Sequence, residues 1–237
     1  MISIVIPTFN EATALPGLLA QLQREPEDKE IIVVDGGSRD RTIARALDFD
    51  VQVIRTALGR GTQLRRGVRA ARGDTLLFLH ADSRFPAGGL AAVARLLAGD
   101  PALGGGNFRL LFDGGSGFAR WLTGFYAWLR DHGIYYGDSG IFVRRAVYDR
   151  LGGIRPIELM EDFDFVRRLE RAGPTGCIAE PPLVTSSRRF DGRHPVTIFL
   201  GWLRIHALYG LGVSPAQLAR LYDSLRRDTG PADMPTR

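Results

Sequence analysis

Short apolar runs return along the first eighty or so positions, each closed by a polar turn and followed by apolar residues at helical spacing. Ile2 to Ile6 is a β-branched run ended by Pro7. Leu15, Leu18, Leu19 and Leu22 then fall at i, i+3, i+4 and i+7, which predicts strand, loop and helix, with Asn10 as the helix cap. A second run, Glu30 to Val34, ends in DGGS, and Ser38 or Asp40 is placed to cap a helix around Thr42 to Leu47. A third, Val51 to Ile54, leads into LGRGTQLRRGVRAARGD, read as a loop and a helix, and a fourth, Thr75 to Leu79, runs out at His80, Ala81 and Asp82. Strands that are apolar on both faces belong in a parallel sheet covered by helices on each side. Their alternation with helices predicts right-handed βαβ units in an α/β, Rossmann-like open sheet.

The alternation then stops. After Ala87 a helix is expected through Leu97, then a turn-rich break from Asp100 to Gly106 and a strand from Gly106 to Phe112. From Gly114 to Ile134 the spacing of Phe118, Trp121, Phe125, Tyr126 and Trp128 predicts an amphipathic helix with an aromatic face, and core packing is the expected use of most of these rings. YYGDSGIFVRR reads as a polar cluster and a short strand. MEDFDFVRRLERAG puts three acids at a helix start, where they complement the helix dipole, with Asp164 the best candidate for that structural task. Three acids in four positions exceed what a cap requires. A strand CIAE, a proline break, VTSSRRFDGRHP and helices over Thr197 to Leu211 and Pro215 to Arg227 complete one expected domain, 1–227, with 228–237 as a flexible tail. Trp202, Leu203, Tyr209 and Leu221 on the last two helices are expected to pack on the sheet, with membrane-surface contact or a homodimer interface as alternatives.

Composition narrows the class. A chain of 237 residues that is 45% hydrophobic and 24% charged is an ordinary globular one. Its +5 charge comes from arginine, since Lys29 is the only lysine, and arginine suits phosphate or carboxylate. No run of five basic residues argues for nucleic acid as a partner. The single Cys177 cannot form an intrachain disulfide and is expected in the core. The opening MISIVIPTFNE has no basic leader, and the apolar stretch Phe199 to Val213 carries Arg204 and His206 and falls short of the roughly 20 residues that span a bilayer. A cytoplasmic protein without a transmembrane helix is the expectation. The first turn lacks G-x-G-x-x-G, so a dinucleotide would have no seat, and it lacks the basic Gly-rich loop that grips a triphosphate in sugar nucleotidyltransferases.

Acids remain at strand ends, where open parallel sheets bind ligands. Asp82 at the end of LLFLHADS either caps the following turn or holds a divalent cation against a phosphate. In order, IVIPTFNE, IIVVDGGSRD, LLFLHADS and MEDFD resemble the family 2 glycosyltransferases of the GT-A fold, over Ile2 to about His194. GRGTQL, YGDSGIF and SSRRF are similar to a branch of small bacterial members of the arsenosugar-biosynthesis type. The resemblance implies inverting transfer of a sugar, of hexosyl type, from a nucleotide diphosphate sugar to an acceptor hydroxyl, with Mg2+ or Mn2+. It implies a nucleotide-sugar half over about 1–105, an acceptor half over about 106–195 and C-terminal helices over 197–227.

Residue by residue, the resemblance places Pro7, Thr8 and Glu11 beside the nucleotide and Asp35 at its base, with Gly36 where a second acid is common and Arg65 where many relatives have Asn. His80 stands where a ribose-contacting Asp would be, Asp82 is the metal ligand, and His194 is a candidate second ligand. Arg60, Arg188 and Arg189 are candidates to assist the departing diphosphate. Asp162 is the implied general base, and Tyr136, Asp138, Ser139 and Glu161 are expected around an acceptor that is either soluble or lipid-linked. A non-catalytic nucleotide-sugar-binding module on the same scaffold is the alternative, marked by the change to DGGS and HAD; the retention of Asp82 and Asp162 argues against it.

Overall fold

The protein is described from a computed structural model covering residues 1–114, 117–186 and 194–227. Its strands are β1 (Ile2–Thr8), β2 (Lys29–Asp35), β3 (Gln52–Arg55), β4 (Thr75–Phe78), β5 (Gly105–Phe112), β6 (Ile141–Arg144) and β7 (Thr175–Thr185). They form one seven-stranded sheet in the order β3-β2-β1-β4-β6-β5-β7. Neighbours pair in parallel except around β6, which runs against both β4 and β5. The expected mostly parallel α/β sheet is what the chain builds.

The alternation of side chains along each strand explains the layers. On one face Ile4, Ile6, Val33 and Leu77 join a core with α1 (Leu15–Arg24), α4 (Gly89–Gly99) and α5 (Gly117–Asp131). On the other, Val5, Ile32, Val34, Leu76 and Phe78 pack under α3 (Arg60–Ala70), α6 (Arg145–Arg150) and α7 (Glu161–Ala172). The i, i+3, i+4, i+7 leucines of α1 are all buried. α3 lies close on β1 and β2 because Gly67 has no side chain: a Cβ there would stand 2.4 Å from Val5 and 2.9 Å from Val34.

Register brings the strand ends together. Thr8 pairs with Asp35, and Val5 with Phe78, so β1, β2 and β4 finish along one carboxyl edge. Because β6 is reversed, its first residue, Ile141, pairs with the last residue of β4, Phe78, and the 3-10 turn Gly137–Ser139 that precedes β6 lands on the same edge. The N-terminus of α7 joins it there through a hydrogen bond from the Gly137 N–H to Asp162.

Several expectations are corrected. Asn10 does not cap α1, which starts at Leu15 after Ala14; Asn10 adopts φ 56° and bridges to the next loop, donating its N–H to Ser38 and accepting the N–H of Arg39. Of the two candidate caps, Asp40 is the one that accepts the Thr42 N–H at α2 (Thr42–Ala46). Cys177 is exposed, because β7 is an edge strand and not part of the interior. β7 itself runs on past Pro181 and Pro182, which an edge strand tolerates and which its pairing with β5 accommodates by a shift of register. α8 (Pro195–Gly210) and α9 (Pro215–Arg227) do not simply cover the sheet: Ile205 of α8 and Leu218 of α9 close a third core around Leu159 and Met160. The aromatic helix α5 keeps Phe118 and Tyr126 on the main core, but Trp121 and Trp128 are exposed.

Candidate active site

The three acids in the first turn of α7 separate into two tasks. Asp164 is held by Arg155 at 3.0 Å and by Arg168 at 2.6 Å, and Arg168 also donates to the carbonyls of Leu151 and Gly153. Asp164 therefore ties α7 to the loop before it. Glu161 and Asp162 turn instead toward Arg60, the first residue of α3: Arg60 Nε pairs with Glu161 Oε1, and its Nη2 lies 3.3 Å from Asp162 Oδ2. Met160, immediately before them, adopts φ 68°, a left-handed conformation that non-glycine residues take only under local constraint.

One cation shared by two carboxyls polarises the pair. Burial works against ionisation of Asp162, but Arg60 and the N–H groups of Gly137 (2.9 Å) and Phe163 (2.8 Å) outweigh it and hold its pKa below the usual Asp range. Burial pushes Glu161 up despite Arg60, because no comparable set of backbone donors reaches it. The two shifts run in opposite directions, so Asp162 is the more acidic member of the pair and the one favoured as the ionised carboxylate. Only Asp162 of the two faces a cavity of about 430 Å3.

That cavity has two ends. Arg60, His80, Asp138 and Asp162 form the polar one at the sheet edge. Gly137 is wedged there: a Cβ would stand 3.0 Å from His80 Nε2 and 3.2 Å from Asp162 Oδ2. His80 Nε2 lies 3.4 Å from Arg60 Nη1. The body of the cavity is walled by α5, α8 and the segment before α7, with Tyr126, Tyr136, Phe163 and Trp202 among its rings. Tyr136 stacks on Phe163 and meets His206 Nε2 at 3.0 Å. The carbonyl of Trp202 can only accept, so His206 Nδ1, 2.8 Å away, carries the ring proton and Nε2 accepts from Tyr136. Burial, then Asp162 and Asp138, push the Tyr136 phenol up, so it stays a donor.

The β1–β2 side of the edge is held by hydrogen bonds. Asp35 is fully buried; its Oδ2 accepts the N–H groups of Gly37 and Ser38, both at 2.9 Å, and its Oδ1 has no hydrogen-bond partner. Thr8 is buried beside it, Pro7 is half-buried, and Glu11 is tied through its N–H to Thr42. Gln63 donates to the carbonyls of Thr8 (2.9 Å) and Val34 (2.8 Å), locking β1 to β2. Its amide, with Leu58, fills the space a side chain at position 36 would need, a Cβ there lying 3.0 to 3.2 Å from them. A side chain at position 36 would therefore require Leu58 and Gln63 to shift.

Asp82 is half-buried in the turn four residues beyond β4, and Ser139 is buried with its hydroxyl on the Tyr136 carbonyl. Arg65 is exposed on α3. His194 is exposed at the start of α8, and Arg188 and Arg189 lie outside the described residues. Among the described residues no three His, Cys, Asp or Glu side chains are grouped to hold a metal ion. A lone carboxylate fits Mg2+ or Mn2+ only where substrate phosphates complete the shell. The sequence pattern did not single out Gln63, Phe163 or His206. A polar residue inside the apolar run of α8 was the available signal for His206.

The profile of glycosyl transferase family 2 matches residues 3–149. The chain belongs to that family. The PGL/p-HBAD biosynthesis glycosyltransferase of Mycobacterium tuberculosis is 33% identical over 204 residues, covering 78% of this chain and 72% of the relative. An uncharacterized glycosyltransferase of Haemophilus influenzae is 37% identical over 89 residues, 36% of this chain and 30% of that one. Among solved structures, this glycosyltransferase superposes on the mannosyltransferase PcManGT of Pyrobaculum calidifontis, in complex with GDP-Man and Mn2+, with TM-score 0.61 at 19% identity, over 94% of this chain and 73% of that one. It is also similar to S. aureus TarS 1-349 in complex with UDP-GlcNAc, with TM-score 0.63 at 14% identity over 95% and 72%. The GT-A fold expected of a family 2 glycosyltransferase is thereby shown.

Proposed function

We propose that this glycosyltransferase moves a sugar with inversion from a nucleotide diphosphate sugar to an acceptor hydroxyl, with Asp162 as general base. The observation that carries the reading is the ionised Asp162 carboxylate, held by Arg60 and two backbone N–H groups where the sheet edge meets the cavity. The acceptor oxygen attacks the anomeric carbon as its proton passes to Asp162, and the bond to the diphosphate breaks on the opposite face. A single carboxylate serves such a direct displacement.

Arg60 positions Asp162 and Glu161, so its charge is already committed to the acids and its part in relieving the diphosphate is small. Thr8 and the turn held by Asp35 support the nucleotide side. A divalent cation held at Asp82 would neutralise charge accumulating on the diphosphate. The structure of PcManGT with GDP-Man and Mn2+ supports both a nucleotide sugar donor and a metal of this type.

The test is donor turnover by wild type and Asp162→Asn, with nucleotide binding followed in parallel by thermal shift in the presence of Mn2+. Turnover should fall by about 10²–10⁴-fold while binding persists. Equal turnover by the two proteins would remove Asp162 from the role. Nucleotide binding with no turnover by the wild type towards any acceptor would favour a binding module.

A further inference from the structure

We infer that the acceptor is a membrane-resident amphiphile with a hydroxyl head, received through an α5–α8 face that docks on the bilayer. The inference rests on the glycosyl-transfer reading for the site but on different observations. Seven of the ten exposed large apolar side chains among the described residues lie on α5, on α8 or on Leu211, which ends α8. Leu200 and Leu203 are each 56% exposed, Trp128 is 55% exposed, and Phe199 stands edge-on to Trp121 and Phe125 across the two helices. A concentration of this kind on one face marks an interaction surface.

The face and the cavity are continuous. Phe199, Leu203 and Trp128 belong both to the exposed surface and to the cavity wall, so the cavity opens through the apolar face and ends at Asp162. A chain lying among Tyr126, Trp202 and Leu203 would thread from the surface to the carboxylate. A volume of about 430 Å3 is that of a small-molecule site.

Charge selects lipid over a second copy as the cover. α8 contains no acid, α5 has only Asp131 at its last position, and Arg120 and Arg204 are exposed beside the apolar residues. Tryptophans and arginines around an apolar patch suit the headgroup boundary of an anionic bilayer. A second copy seated there would close the cavity mouth. At 16 residues α8 is about 24 Å long, too short to cross the hydrocarbon but able to lie on it.

The polar end suits a hydroxyl head. Among the described residues it brings Arg60, His80, Asp138 and Asp162 to the cavity, donors and acceptors that a hydroxyl can meet.

All three tryptophans of the chain, Trp121, Trp128 and Trp202, lie on this face or in the cavity, so fluorescence reports on it directly. Vesicles of phosphatidylcholine and phosphatidylglycerol carrying bromine on their acyl chains should quench the protein and co-float with it. Leu200→Glu with Leu211→Glu, both at exposed positions, should weaken vesicle binding about tenfold or more with an unchanged melting temperature. In Trp121→Phe/Trp128→Phe, where Trp202 alone reports, ω-bromododecanol should quench saturably and at lower concentration than bromopropanol. Unquenched wild type, equal vesicle binding by the Glu variant, or no saturable quenching by the long alcohol overturns the proposal. So does a lipid-free dimer that the Glu substitutions dissociate. Neither arm uses nucleotide or measures turnover, so either reading can fail alone.

Discussion

The two ends of the site are held by different physics. Along β1 and β2 the chain is fixed by directional bonds to the main chain: Asp35 to Gly37 and Ser38, Gln63 to Thr8 and Val34, Asp40 to Thr42. Around α5 and α8 the walls are rings in contact, Trp121 on Phe125 at 5.0 Å, Tyr136 on Phe163 at 6.2 Å and Tyr126 on Trp202 at 6.4 Å, with few polar ties. Directional bonds define positions closely and tolerate little change. Apolar contacts hold shape with less dependence on orientation, so the ring-walled end can adapt its shape while the β1–β2 end stays fixed.

The largest effect expected from breaking this contrast is at the seam between the two ends. Arg60→Met leaves Glu161 and Asp162 buried without their cation, which should cost toward the lower end of roughly 3–5 kcal/mol, because Arg60 keeps 27% of its side chain exposed. The sign with pH is specific. Without Arg60 the two carboxyls titrate above their unfolded values, so the penalty is absent below those values and grows as pH rises. Denaturant titrations should show the gap to wild type narrowing from about pH 7 to about pH 4. A pH-independent gap would mean that packing and not charge is lost.

At the β1–β2 end, Gln63→Leu removes the donor to two buried carbonyls and should cost about 1–3 kcal/mol, lowering the melting temperature by about 2–4 °C for each kcal/mol. The pH profile of turnover separates the two acids. Because Asp162 is held below the usual Asp range, its acid limb should lie below about pH 4, and its contribution to stability is present above that and lost as pH falls through its lowered value. An acid limb above the ordinary Glu range would assign the titrating group to Glu161, which burial pushes up. The smallest effect is on the apolar face: Leu211→Ser, at a position 81% exposed, should change stability by no more than about 0.5 kcal/mol. A larger loss by thermal melt would show that the face serves folding.

The contrast also decides what the chain disclosed before its structure. β1, β2 and β4 were legible because a buried parallel strand is a continuous apolar run, and α1 because its leucines keep helical period. Asp164 has an arginine four positions on, Arg168, that marks it for an ion pair along the helix, but nothing local says that Arg60, 102 residues away, holds Asp162. The rings of α5 carry a core-like spacing because the pattern records an apolar face without recording what covers it. Cys177 was misread for a related reason: its strand is apolar enough for the interior but lies at the sheet edge.

The reversed strand β6 makes the α5 wall of the cavity a replaceable part. A parallel connection must carry the chain back across the sheet before the next strand, whereas the chain between β5 and β6 leaves and returns at the same edge. The chain from Asp113 to Tyr135, α5 included, is therefore an excursion whose length can change without shifting the register of any strand, so long as the core contacts of Ala119 and Leu122 are kept. It can be rebuilt while Gly137, Thr8, Asp35 and Asp82 stay where they stand.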